Sequence, residues 1–154
     1  MKKLTALIIG ILIVTSCSEK RVNQEDIMNQ VLTTYNEMYY SYGEGTDEFF
    51  KYFEDDFLRL TPSGKLQKGV EDRKIEWNNY LKMFSLGLES FDEPEMIISK
   101  NQVITIGGYN EYFVNRKTKD TSHNRGIYVA TWRKQENGIW KICMDTWHAG
   151  LDKQ

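Results

Sequence analysis

Residues 125–148 read RGIYVATWRKQENGIWKICMDTWH, and this stretch decides the fold. Residues 126–133 and 139–147 are both rich in β-branched and aromatic side chains, the composition of strands. Between them Gln135-Glu136-Asn137-Gly138 supplies an Asn-Gly pair. Both residues of that pair tolerate positive φ, so a tight hairpin is predicted. A two-stranded hairpin is marginal in water by itself, and this one is too apolar to leave both faces wet. Something upstream must cover it.

Immediately upstream, residues 96–99 and 103–114 alternate with a period of two and read as further strands. Gly107-Gly108 falls inside the longer one, which predicts a bulge or sharp bend where a sheet curls. Residues 117–124, with His123 among them, read as a polar hairpin loop. Before residue 95 the period is that of a helix. Asn23 is placed to cap a helix with Glu25 and Asp26 in its first turn, favourable against the helix dipole. Ile27, Val31, Tyr35, Met38 and Tyr42 form its apolar stripe, which ends near Gly43. A second, short helix starts at Thr46 or Asp47, with Phe49, Phe50 and Phe53 as its buried side. Glu54-Asp55-Asp56 reads as its solvated end; three adjacent acids do not converge on a metal by themselves, and no metal site is expected. Residues 57–61 read as a strand and Pro62-Ser63-Gly64 as a turn. Val70, Trp77, Leu81, Phe84 and Leu88 give the stripe of a third helix.

A chain of 154 residues with no repeat is expected to form one domain. Apolar and charged shares of 40% and 27% are those of an ordinary globular protein. The aromatic share, 13%, is high; it suits either a well-filled core or a pocket. The formal charge of −2, without a Lys/Arg cluster, argues against a nucleic-acid partner. No cofactor is expected.

The first residues read as an address. Lys2 and Lys3 precede an apolar run over residues 4–14, too short to span a bilayer comfortably, and Val14-Thr15-Ser16-Cys17 follows. That pattern resembles the bacterial lipobox. The resemblance implies a signal peptide over residues 1–16, a lipid on Cys17, a polar tether over residues 17–24, and a membrane-anchored lipoprotein of the cell envelope. Ser18 rather than Asp after the Cys resembles sorting to the outer rather than the inner membrane. The competing readings are an uncleaved anchor or a plain secretory signal with an incidental Cys. If Cys17 carries lipid, only Cys143 remains, and no internal disulfide can form. Cys143, inside an apolar strand, reads as a small buried hydrophobe.

The order of elements, helices first and long antiparallel strands after, is an α+β arrangement. Together with Trp132-Arg133-Lys134, Asn137-Gly138, Trp140-Lys141-Ile142 and Asp145-Thr146-Trp147, it resembles the nuclear transport factor 2-like, or cystatin-like, superfamily. Within it the chain is similar to the SnoaL-like and ketosteroid-isomerase-like branch, where Phe53-Glu54-Asp55-Asp56-Phe57 has its usual place before the first strand. The resemblance spans residues 26–148, within a domain of residues 25–150. It implies a curved antiparallel sheet wrapped around a long helix, a cone with an internal pocket, and a homodimer through the outer face of the sheet. Ketosteroid isomerase uses an Asp base with an oxyanion hole of Tyr and protonated Asp. This chain has Thr61-Pro62 where the resemblance would put the base, and Thr is too weak for that proton abstraction. The isomerase mechanism is therefore not expected, although Tyr39 lies near the place of the oxyanion Tyr.

The expected pocket lies between the first and third helices and the sheet, with Tyr39, Trp77, Tyr112, Tyr128, Asp145 and Trp147 as candidate ligand-binding residues. Asp145 sits between apolar residues of a strand. Buried, it needs partners and its pKa could rise enough for acid or base work; exposed, it is a solvated edge charge. Strict alternation puts Trp140, Ile142, Met144, Thr146 and His148 on one face and Lys141, Cys143, Asp145 and Trp147 on the other. Without a bulge, only one set can face the pocket. Two functions are expected to compete: a module binding a small, largely apolar or aromatic molecule, and a lyase, isomerase or hydrolase using Asp145 with Tyr39 or His148.

Overall fold

The computed structural model describes residues 23–150. The expected signal peptide and the lipidation site at Cys17 lie outside them, as does the expected tether except for its last two residues. Of those two, Asn23 caps the first helix, its side-chain oxygen accepting from the Glu25 N–H at 3.2 Å, and Gln24 is already helical. The helix, α1 (Gln24–Tyr40), buries Ile27, Val31, Tyr35, Met38 and Tyr39. No helix among the described residues is long and apolar enough to cross a membrane.

After α2 (Thr46–Phe50), the chain enters β1 (Phe53–Leu60) earlier than expected. The acidic triplet is therefore in a strand and not at a helix end. Its pairing with the last strand slips between Phe53 and Leu58, and this irregular segment turns Phe53 and Phe57 inward while Asp55 and Asp56 stay exposed. Glu54 is buried; its carboxylate accepts from Arg133 Nη1 at 2.9 Å and from Gln135 Nε2 at 2.6 Å. A short β2 (Leu66–Lys68), too polar to be foreseen, hairpins back onto β1.

The third helix, α3 (Glu71–Met83), stops before Phe84 and Leu88, which belong to β3 (Phe84–Phe91). Phe84, Leu86 and Leu88 alternate with Ser85 and Gly87, a period of two that the spacing of four between Phe84 and Leu88 disguises as a helical stripe. Pairing decides: Gly87 sits opposite Tyr112, and a Cβ there would come within 2.6 Å of the Tyr112 hydroxyl. Then follow β4 (Glu95–Ile98), β5 (Gln102–Asn115), β6 (Thr121–Lys134) and β7 (Trp140–Ala149). His123 is thus a strand residue and not part of a loop. It remains exposed, with Nδ1 2.9 Å from Glu89 Oε1.

The strands form one sheet in the order β2-β1-β7-β6-β5-β3, with β4 also pairing β5. All pairs are antiparallel except β1 with β7. The β5–β6 ladder runs from Gln102 to Val114 without a slip, so Gly107-Gly108 marks no bulge. It marks the point where β5 exchanges β4 for β3 as its other neighbour. A Cβ on Gly107 would lie 2.3 Å from the Tyr35 hydroxyl, so the missing side chain lets α1 approach the sheet.

The hairpin forms at the expected place, Gln135 donating to the Ile139 carbonyl at 2.7 Å, but of the Asn137-Gly138 pair only Gly138 takes positive φ, at +86°. Its ladder slips once. Thr131 faces Met144 and Trp132 faces Ile142, which leaves Cys143 as the extra residue of a β-bulge. The bulge removes the conflict between the two alternating sets. Trp140 and Ile142 point into the core before it, and Asp145 and Trp147 point to the same side after it, opposite Ala130 and Tyr128. The core gathers Val31, Tyr35 and Met38 of α1 with Phe50, Phe53, Phe57, Val103, Trp132, Trp140 and Ile142. Trp132, fully buried, donates Nε1–H to Thr105 Oγ1 at 2.9 Å.

Candidate functional site

A cavity of about 330 Å³ opens between α1, α3 and the inner face of the sheet. Nine of its fifteen lining residues are aromatic. The end of α1 supplies Met38 and Tyr39. One face of α3, at spacings of three and four, supplies Arg73, Glu76, Trp77 and Tyr80. Alternate residues of β5, Tyr109, Glu111 and Phe113, form the opposite wall; Arg59, Leu88, Tyr128 and Trp147 come from β1, β3, β6 and β7. Phe49 stacks on Trp77 at 5.5 Å between ring centroids, and Trp77 in turn stacks on Tyr80 at 6.1 Å.

Four expected site residues, Tyr39, Trp77, Tyr128 and Trp147, line this cavity. Tyr112 does not: it points to the outer face of β5, over Gly87, because its neighbours Glu111 and Phe113 point inward. Asp145 lies one layer behind the wall, fully buried. Its Oδ1 accepts from Arg59 Nε at 2.8 Å, its Oδ2 from Arg59 Nη2, and Oδ2 also accepts from the Tyr128 hydroxyl at 2.8 Å. The parallel register of β1 and β7 sets Arg59 beside Asp145 and so closes this bidentate pair. Burial is the largest single influence and would lower the Arg59 pKa, but the charge and hydrogen bonds of Asp145, with Tyr128 adding to them, together outweigh it and hold the guanidinium above its ordinary range. The Arg59 guanidinium also stands 5.1 Å from the Trp147 ring centre. The expected partnership of Asp145 with Tyr39 or His148 is not formed; His148 is exposed beyond the cavity.

The sequence reading missed Arg59, Arg73 and Glu111. Glu111 is the cavity's buried carboxylate. Its Oε2 accepts from the Tyr42 hydroxyl at 2.5 Å and its Oε1 from Asn124 Nδ2 at 2.7 Å. Burial raises its pKa, against the pull of these two hydrogen bonds. A carboxyl with a raised folded pKa favours the folded state at low pH and loses that contribution as pH rises through the folded pKa. Glu111→Gln never charges; its oxygen can still accept from Asn124 while its amide N–H donates to the Tyr42 oxygen, so it is expected to melt higher than the parent at pH 7. The gap should narrow as pH falls toward 4; a gap that is constant with pH in thermal melts would refute the assignment.

The tyrosines stay neutral at physiological pH. Burial raises the pKa of Tyr39, Tyr42 and Tyr128 well above the ordinary value, with nearby Tyr35, Glu111 and Asp145 respectively adding to it. Arg73 ion-pairs with Glu76, yet burial and then the nearby Arg59 charge lower its pKa. Among the described residues, no group of three or more His, Cys, Asp and Glu side chains converges as a metal site.

No family model matches the chain, and no curated protein does. Solved structures do. A nuclear transport factor 2-like superfamily protein of Salmonella enterica serovar Typhimurium is 18% identical, with a TM-score of 0.68 over 84% of this chain and 95% of that one. A hexachlorocyclohexane dehydrochlorinase of Novosphingobium barchaimii is 12% identical, with a TM-score of 0.69 over 82% and 88%. A protein of unknown function with a cystatin-like fold from Nostoc punctiforme is 14% identical, with a TM-score of 0.61 over 80% and 91%. At these identities the likeness is one of fold.

Proposed function

This chain has the nuclear transport factor 2-like α+β cone fold, and from that premise we propose that it binds a small, largely aromatic molecule in the cone. The observation that supports this most is the cavity wall, in which aromatic rings outnumber all other side chains. The charged groups there are mostly engaged, Arg59 by Asp145 and Arg73 by Glu76. The test is a thermal-shift screen of planar aromatic compounds. Hits are expected to raise Tm, and Leu88→Trp, which fills the cavity from β3, should abolish the shift. Shifts that survive Leu88→Trp would place binding elsewhere and sink the reading.

An enzymatic alternative built on Asp145 with Tyr39 or His148 finds no support in the hydrogen bonds. One built on Glu111 has a specific observation behind it, a buried carboxyl with a raised pKa facing an apolar cavity, the setting of many general bases. The neighbours of this fold include a dehydrochlorinase as well as proteins of unknown function.

We also propose that the module is held at the cell envelope by a lipid on Cys17, on the strength of Val14-Thr15-Ser16-Cys17 after an apolar run. Labelling with an alkyne fatty acid should mark the parent and not Cys17→Ser; equal labelling of both would exclude the anchor.

A further inference from the structure

Glu111 brings a carboxylate to the cavity without a counter-ion. Both guanidiniums of the wall are taken, Arg59 by Asp145 and Arg73 by Glu76. Glu111 is held by neutral groups, the Tyr42 hydroxyl and Asn124 Nδ2. Burial and these two hydrogen bonds are what its carboxyl feels, with no cation of the described residues among them. An ionised carboxylate offers about four acceptor sites, and two are used here. Glu111 lines the cavity and keeps 7% of its surface exposed, whereas Asp145, at 0%, lies behind the wall. A charge buried in this way is costly until an opposite charge joins it.

The surroundings of Glu111 decide what kind of charge that is. Leu88 of β3 is its cross-strand partner on one side and Asn124 of β6 on the other. Tyr109 and Phe113 flank it on the same face of β5. Between ring centroids, Tyr80 stands edge-on to Phe113 at 5.8 Å and Tyr42 lies 5.4 Å from Trp77. Burial and then the Glu111 charge raise the pKa of Tyr42, Tyr80 and Tyr109, so all three phenols are near the carboxylate. A hard metal ion takes six or more oxygen ligands at about 2–2.6 Å, and no such group converges among the described residues. Aromatic rings instead attract an organic cation within about 6 Å of the ring centre. A neutral guest would fill the space and leave Glu111 unmatched.

We infer that the cavity takes an aromatic amine in its ammonium form, the ammonium meeting Glu111 while the ring lies among the aromatic side chains. The inference rests on the binding function proposed above and adds the charge of its ligand.

The test is calorimetric titration of the full chain in detergent, with detergent-only titrations subtracted, using tryptamine and its neutral isostere tryptophol. At pH 8 tryptamine is expected to bind at least about tenfold tighter, the scale of one hydrogen bond to a charged group. An alkylamine stays protonated up to about pH 10, so below that any pH dependence comes from the protein. The preference should shrink as pH falls toward 4, because a protonated Glu111 no longer attracts the ammonium. Glu111→Gln should remove both the preference and its pH dependence, and the pH series on the parent serves if that variant does not fold. Equal affinities, a preference constant with pH, or one that survives Glu111→Gln would overturn the cation site and leave the binding reading standing. No binding of either probe would overturn both.

Discussion

Asp145→Ala is expected to destabilise the protein by about 3–5 kcal/mol, the range for removing one partner of a buried ion pair. Asp145 is wholly buried and the Arg59 side chain is 9% exposed. Without the carboxylate, the guanidinium keeps its desolvation cost and loses both acceptors, and the Tyr128 hydroxyl is orphaned as well. Arg59→Met should cost a comparable amount, because it leaves the carboxylate buried with Tyr128 alone. The double variant Arg59→Met with Asp145→Leu should recover much of the loss, since an apolar pair of similar volume often replaces a buried ion pair without penalty. Urea denaturation of the four proteins closes the cycle. Single variants that unfold at the parent's midpoint would mean that water reaches the pair.

Deletion of Cys143 is expected to leave cooperative folding intact, at a cost near that of Cys143→Ala, roughly 1 kcal/mol, the order of losing a small buried side chain. The thiol itself does little: it donates to the Thr131 carbonyl at 3.3 Å. Thr131 faces Met144 and Trp132 faces Ile142, so without the extra residue the ladder becomes regular. Strict alternation then keeps Trp140, Ile142, Asp145 and Trp147 on the inner face and Met144 on the outer one. Far- and near-ultraviolet circular dichroism of both variants makes the comparison. A deletion variant that loses its near-ultraviolet signal would show that the local twist of the bulge, and not side-chain parity alone, holds the core together.

The parts of the fold carried by local signals were legible in the sequence. Asn23 at the start of α1, Asn137-Gly138 in the hairpin and the alternation of β5 each act within a few residues, and each is found where its chemistry predicts. What escaped depends on pairing across the chain. Phe84 to Leu88 satisfies both periods, and only its position beside β5 makes it a strand. Glu54 looked solvated because Arg133 and Gln135 are about eighty residues away in sequence, near the final turn. Asp145 drew attention as a charge inside an apolar strand. The same signal stood in Phe57-Leu58-Arg59-Leu60, with the opposite sign, and would have supplied its partner. Tyr112 and Glu111 exchanged roles because composition favours an aromatic in a pocket, while the parity of β5 places the carboxylate there.

One feature of α3 bears on how the protein behaves in the cell. Among its thirteen residues none is fully buried; of the face it turns inward, Trp77 packs on the core beside Phe49, while Arg73, Glu76 and Tyr80 look onto the cavity. A helix so held has few contacts resisting local opening, and its amide protons should exchange with solvent sooner than those of β5 and β6. A guest in the cavity would supply the missing neighbours. By mass action, a ligand at a hundred times its dissociation constant adds about 2.7 kcal/mol to the closed form. Occupancy would then be written in the lifetime of the protein as well as in its binding curve: the empty molecule would yield at α3 to proteases, and the filled one would persist.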